Sequence, residues 1–239
     1  MTVDFARWDL LIEDPNWYKT IIPELNELQK DPRPDEVLKE EILTYFDTHL
    51  ASGQIGLGKI GKNFDAERLP VDTMVIHHTA GVPGMSLTRL STIELLRLYA
   101  PYYLKPYGAE DAFIAGQAIY SGHFRNGKQV FWPYHWMIRH DGNYERLLMD
   151  NEIGWQAGTW GVNRRSVAIV FDNNYENSCP SRGELRAAAE IISKYYPTIA
   201  SDHILGHREV NPKTTCPSNF FLDTPDRKGW KHDLISYLA

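Results

Sequence analysis

Residues 206–218 read GHREVNPKTTCPS, with Lys213 and Thr214 lying between His207 and Cys216. An imidazole and a thiol in one short stretch are donors that a metal ion takes. Pro212 and Pro217 punctuate the stretch. A proline cannot continue a helix, so the two donors are expected on a loop. Such a site needs at least one more ligand from elsewhere in the chain. His77 and His78, at the end of the apolar run TMVIHHT (73–79), are the candidates. Side chains alternate across a strand, so these two histidines point to opposite faces, and at most one meets His207 and Cys216. Cys179 is the other cysteine. Two cysteines cannot build a disulfide scaffold, although a bond between them would compete with the metal.

Several elements must position these residues. TMVIHHT reads as a strand, and SVAIVF (166–171) is nearly all apolar, as a strand covered on both faces would be. HWMIRHDGNYERLLM reads as a hairpin turning at Asp141-Gly142. STIELLRLYAPYYL is expected to start a helix at Ser91, with Glu94 completing a capping box, and to stop at Pro101. SRGELRAAAEIISKYY repeats the box with Ser181 and Glu184, and aligns Leu185, Ala188, Ile192 and Tyr195 on one stripe. KGWKHDLISYLA reads as a short final helix. Strands alternating with helices predict an α/β or α+β domain around a central sheet.

Ahead of this domain, EDPNWYKTIIPELNELQKDP and RPDEVLKEEILTYFDTHLASG carry apolar residues at helical spacing. In the second, Val37, Ile42, Tyr45 and Phe46 share a face, and Pro34 marks the helix start. The chain is thus expected to divide into an N-terminal helical region with its linker (1–65) and an α/β domain (66–239). GLGKIG at 56–61 fits G-x-G-x-x-G, but a dinucleotide site needs a strand before the glycines and a helix after them. Here a helix precedes and NFDAERLP follows, so the glycines read as a linker.

The net charge of −6 argues against a nucleic-acid groove, which needs a basic face. No stretch approaches the roughly 20 apolar residues of a membrane helix, so no membrane partner is expected. MTVDFARWDLLIEDP carries acidic residues through its apolar part, unlike a secretory signal, and the chain is expected to be cytoplasmic as synthesised.

In this order, VIHHTAG, YHWMIRHDG, GWQAG, NRRSVAI and GHREVNPKTTCPS resemble the zinc-dependent N-acetylmuramoyl-L-alanine amidases. That family includes phage amidase endolysins, bacterial recycling amidases and peptidoglycan recognition proteins. The resemblance covers residues 66–222, and 84–130 reads as an insertion relative to compact members. It implies an α/β fold with a mixed central β-sheet flanked by helices, and zinc as cofactor. The implied zinc ligands are His77, His207 and Cys216, with Tyr134 and Lys213 catalytic.

The implied reaction is hydrolysis of the amide between N-acetylmuramic acid and L-alanine, and the implied partners are peptidoglycan or muramyl peptides. A chain so employed would be released to act on the cell wall or would act on wall fragments. Trp132, Trp155, Trp160 and Asn163 fall in loops around the implied groove, where rings could stack on sugars and the amide could bond peptide or N-acetyl groups. Core packing is the alternative use of the tryptophans. His78 and His135 are candidates for protonating the departing amine.

Three departures from the family pattern bear on these roles. The metal loop has one extra residue, so counting back from Cys216 puts Thr214 in the lysine's place and makes it a substrate-side candidate. Val170 stands where recycling amidases carry a glutamate, and Gln156 replaces the histidine of a GWHAG-like stretch. The alternatives are a non-catalytic muramyl-peptide binder and a zinc hydrolase of another amide. Binding-only relatives tend to lose the cysteine ligand, so Cys216 favours the enzyme.

Overall fold

The computed structural model describes residues 3–30, 35–106 and 109–238. Contacts gather the chain into two compact units, one of residues 1–63 with 86–131 and the other of 64–85 with 132–239. Residues 86–131 lie beyond the expected boundary at 65, yet they pack with the N-terminal helices.

The first unit is mainly helical. Helix α1 (Phe5–Asp9) is capped by Asp4, whose carboxylate accepts from the Arg7 amide at 3.0 Å. Helix α2 spans Tyr18–Leu28. Helix α3 (Glu36–Ser52) starts at Asp35, whose carboxylate accepts from the Val37 and Leu38 amides. Pro34, expected at this start, lies outside the described residues. Phe46 of the expected apolar face is buried, whereas Val37 is exposed, so the buried stripe is narrower than the spacing suggests. Gly53, at φ +80°, ends α3 in the left-handed region that glycine adopts without strain.

Helix α4 (Leu87–Glu94) departs from expectation. Ser86 caps it, accepting from the Arg89 amide at 3.1 Å. Ser91 is buried one turn further on, and its hydroxyl accepts from the Phe131 amide at 2.8 Å. The helical path also does not stop at Pro101. Leu95–Tyr99 form a π turn in which the Ala100 amide reaches the Leu95 carbonyl, and α5 (Ala100–Leu104) follows. Pro101 then falls in the first turn of α5, where a missing amide proton costs least.

Trp8, Trp17, Tyr18, Phe46, Tyr99, Tyr103 and Phe131 form the buried aromatic centre of this unit. The GLGKIG run lies against it. Gly56 donates to the Ile12 carbonyl and Gly58 to the Ile119 carbonyl. A Cβ on Gly56 would stand 2.5 Å from the Glu13 carbonyl oxygen, so close backbone approach explains this glycine.

The second unit holds a five-stranded sheet. Its strands are β1 (Thr73–His78), β2 (Trp136–Ile138), β3 (Tyr144–Arg146), β4 (Ser166–Phe171) and β5 (Ile204–Gly206). They lie in the order β3-β2-β4-β1-β5, with all neighbours parallel except the antiparallel β2–β3 pair. The β2–β3 hairpin turns at Asp141-Gly142 as expected, with Gly142 at φ +85°. Helices α6 (Trp160–Asn163), α7 (Arg182–Tyr195), α8 (His207–Val210) and α9 (Trp230–Ser236) complete the unit. The architecture is the expected mixed central sheet flanked by helices. The Ser181–Glu184 capping box of α7 is formed on both sides.

Alternation sorts the side chains of the sheet. Met74, Ile76, Val167, Ile169, Phe171 and Ile204 pack into one core with Leu185, Ala188 and Ile192 of α7 and with Trp230 and Leu234 of α9. Val75, His77, Ala168 and Val170 are left for the opposite face. Every residue of β1 and β4 is buried, as strands covered on both sides require. Among the described residues no helix is long and apolar enough to cross a membrane.

Candidate metal centre

The site forms where β1, β4 and β5 end. In open α/β sheets the carboxyl ends of parallel strands are where ligand sites collect. The register pairs Ile76 with Gly206, and one residue further along each strand stand His77 and His207. Their ring centroids are 4.7 Å apart. The chain leaves the sheet at Gly206, whose amide donates to Glu209 Oε2 at 2.7 Å as α8 begins. A Cβ on Gly206 would meet the Phe221 ring at 2.5 Å and the Pro217 ring at 2.9 Å, so a bare backbone is needed to bring His207 in.

Cys216 returns to the same point. Its carbonyl accepts from the Arg208 amide at 2.7 Å, and its Sγ lies 3.6 Å from His77 Nδ1. One donor atom from each of His77, His207 and Cys216 lies within 4.8 Å of the other two. Neither Cys179 nor Cys216 is in a disulfide, so the competing bond between them is not formed.

The electrostatics suit a cation. Burial lowers the His77 pKa well below its ordinary value, and neighbouring His207 adds to the effect. Burial likewise takes His207 down to about 4, with His78 contributing. Both rings are therefore neutral at pH 7 and keep a lone pair for a metal. His207 Nε2 is buried with no hydrogen-bond partner among the described residues. A buried polar atom left so costs about 1–3 kcal/mol, which ligation would offset. Two neutral imidazoles and a thiol fit a divalent metal ion, and three protein ligands leave a fourth position open.

Other side chains surround the three donors. Tyr134 is half-buried, its ring centroid 5.0 Å from that of His77. Gln156 Oε1 lies 2.6 Å from His77 Nε2, and the Gln156 amide donates to Ser166 Oγ at 2.9 Å. Sequence reasoning missed this contact. Its one signal in the sequence was Gln156 standing where the GWHAG-like pattern has a histidine.

Thr214 Oγ1 accepts from the Cys216 amide at 3.1 Å, so the hydroxyl shapes the ligand loop. Lys213 is exposed on that loop, and its amide donates to Asn211 Oδ1 at 3.1 Å. Glu176 holds the loop from outside, accepting from Thr215 Oγ1 at 2.6 Å. The GWQAG loop abuts it as well: Gly158 sits at φ +66°, and a Cβ there would lie 2.7 Å from Asn211 Nδ2.

Asn163 is buried, and its Oδ1 accepts from the Gln156 and Ala157 amides at 3.2 and 2.8 Å, so its carbonyl oxygen holds the GWQAG loop. Trp155 is buried edge-on against Phe64 and Trp160, with ring centroids 4.9 and 6.4 Å away. These two candidates have internal contacts, in contrast to exposed Lys213.

The candidate proton donors are also engaged. His78 lies on the core face, where its Nδ1 accepts from the Tyr175 amide at 2.8 Å. His135 Nδ1 accepts from the Ala168 amide at 3.1 Å, and its Nε2 donates to the Glu152 carbonyl at 3.0 Å. Both nitrogens of His135 thus serve the backbone.

The sequence model of the N-acetylmuramoyl-L-alanine amidases matches residues 67–219, which is more than half of the chain. No curated protein matches. Three similar solved structures are those of an N-acetylmuramoyl-L-alanine amidase from Clostridium intestinale, an endolysin of a Thermus scotoductus bacteriophage, and Drosophila peptidoglycan recognition protein SD. The Clostridium enzyme is 20% identical with a TM-score of 0.45, the alignment covering 75% of this chain and 94% of that one. The endolysin is 17% identical with a TM-score of 0.43, covering 72% and 86%. The recognition protein is 21% identical with a TM-score of 0.40, covering 63% and 77%.

Proposed function

The chain belongs to the N-acetylmuramoyl-L-alanine amidase family, and from that premise we propose that it is a zinc-dependent hydrolase of the amide between N-acetylmuramic acid and L-alanine in peptidoglycan or its fragments. The convergence of the His77, His207 and Cys216 donor atoms within 4.8 Å carries this reading. Zinc, when bound there, supplies Lewis acidity at the scissile carbonyl.

The chain's own residues do the rest. Cys216 as thiolate and the two neutral imidazoles would hold the ion. Tyr134, against His77, orients the attacking water or donates to the carbonyl oxygen as it gains charge. Lys213, exposed on the ligand loop, brings an ammonium to that developing charge, and one such donor typically contributes about 2.7–4 kcal/mol. Thr214 keeps Cys216 in place through its amide.

The test pairs metal content with product. The purified chain is expected to carry about one zinc and to release new L-alanine amino termini from purified cell walls. Cys216→Ser is expected to lose both together. Zinc without release, from walls and from soluble muramyl peptides alike, would overturn the hydrolase in favour of a binder or of another amide substrate. A chain without affinity for zinc would overturn the metal itself.

A further inference from the structure

We propose that Gln156 is a positioning residue that sets which nitrogen of His77 faces the metal; the inference rests on the metal reading above. A neutral imidazole carries one proton, and which nitrogen holds it decides which lone pair is free. His77 Nε2 lies 2.6 Å from Gln156 Oε1, and the other nitrogen, Nδ1, points to Cys216 Sγ at 3.6 Å. Oε1 only accepts, so the proton must sit on Nε2. Nδ1 is thereby left bare on the side where the three donors converge.

The glutamine is itself oriented. An amide can turn over and exchange its oxygen for its NH2 group, which would present a donor to His77. In the orientation observed, the Gln156 amide nitrogen donates to Ser166 Oγ at 2.9 Å while Oε1 faces His77. Ser166 opens β4 opposite Thr73, on the same face as His77. The backbone at Gln156 is pinned too, because Asn163 Oδ1 accepts from the amides of Gln156 and Ala157.

His77, Gln156 and Ser166 are 1%, 6% and 0% exposed, so bulk water has little access to replace a lost partner. Polar partners that orient metal-ligating histidines typically matter about 10–100-fold in metal affinity. A neutral glutamine does this without adding charge to a buried site.

The experiment uses the full chain. In metal-free protein labelled with 15N-histidine, the imidazole shifts of His77 are expected to report the Nε2–H tautomer. Zinc affinity is then measured by competition with a chelator. Gln156→Leu removes the acceptor and is expected to weaken zinc about 10–100-fold, whereas Gln156→Glu keeps an acceptor and is expected to lose less affinity than Gln156→Leu. Ser166→Ala frees the amide to turn and is expected to cost about three- to tenfold.

A His77 proton on Nδ1 in the metal-free wild type would overturn the proposal, as would a folded Gln156→Leu variant that binds zinc like wild type. Should Gln156→Leu fail to fold, the wild-type tautomer and Ser166→Ala decide. A wild-type chain that binds no zinc overturns the metal reading instead, while the tautomer still decides the role of Gln156.

Discussion

Lys213 and Thr214 are adjacent on the ligand loop, yet their side chains have different surroundings. The Thr214 hydroxyl accepts from the amide of Cys216, a buried residue. Thr214→Ala leaves that donor without its partner at a cost of about 1 kcal/mol or more, so zinc affinity is expected to fall at least about fivefold. Lys213 is exposed, so Lys213→Ala is expected to leave zinc content unchanged and to lower kcat about 10²–10³-fold. Metal analysis beside single-turnover kinetics separates the two; full turnover in Lys213→Ala would remove the lysine from catalysis. His207 and Cys216 were legible as a candidate donor pair because few other roles ask for a histidine and a cysteine on one proline-bounded loop, whereas the choice of His77 over His78 came from the family resemblance. The order of Lys213 and Thr214 was not, since one extra loop residue shifts the count and a loop has no periodicity to fix side-chain direction. Gln156 was hidden for another reason: its partner His77 is 79 residues away, and no local pattern encodes that pairing.

At the scale of elements, two loops meet at the centre, and Gly158 is where they touch. Gly158→Ala must hold φ +66° and also bring a methyl group to 2.7 Å from Asn211 Nδ2. The left-handed conformation alone costs about 1–2 kcal/mol. The expected fall in melting temperature is about 2–8 °C for a chain of this size. Zinc binding should weaken with it, because Asn211 also receives the Lys213 amide. A variant that melts and binds zinc like wild type would show that the loops yield freely there.

The central strands were legible as short apolar runs because they are buried on both faces, and α7 because burial of one face imposes period 3.6. Helix α4 was misread at both ends. Ser86 and Ser91 are both competent caps, and the bond from Ser91 to the Phe131 amide claims the second for tertiary packing. The π turn at Leu95–Tyr99 carries the helical path past Pro101, and no residue type announces such a turn.

The whole molecule divides by packing rather than by position in the chain. Residues 86–131 share their aromatic centre with residues before 63, so deleting 1–63 alone would uncover Leu90, Leu95, Tyr99 and Tyr103. That shortened chain is expected to bind a hydrophobic dye and to aggregate, whereas the full chain should do neither; a monomeric, dye-silent product would contradict the division.

Glu94 gives the helical unit a pH dependence. Burial raises its carboxyl to about 7, with Arg97 opposing the shift. The unfolded chain releases this proton near 4.3, so between there and about 7 the folded state binds more protons. Stability from this group is therefore present at low pH and is lost as pH rises through that window. Part of the residue still meets solvent, which reduces the effect. Glu94→Gln is expected to match wild type at pH 5 and exceed it at pH 8 in urea melts, and parallel profiles would remove Glu94 from the account.

Strand β1 lies between β4 and β5 in the sheet, and both of these are encoded far downstream. A ribosome working at about 5–20 residues per second releases β1 roughly 5–20 s before β4 can reach it. The last residue of the helical unit, Phe131, is made within that interval. Through the same interval β1 waits as an apolar-rich segment with two open edges, so the window for wrong pairing opens at an inner strand of the sheet and closes only when β5 arrives.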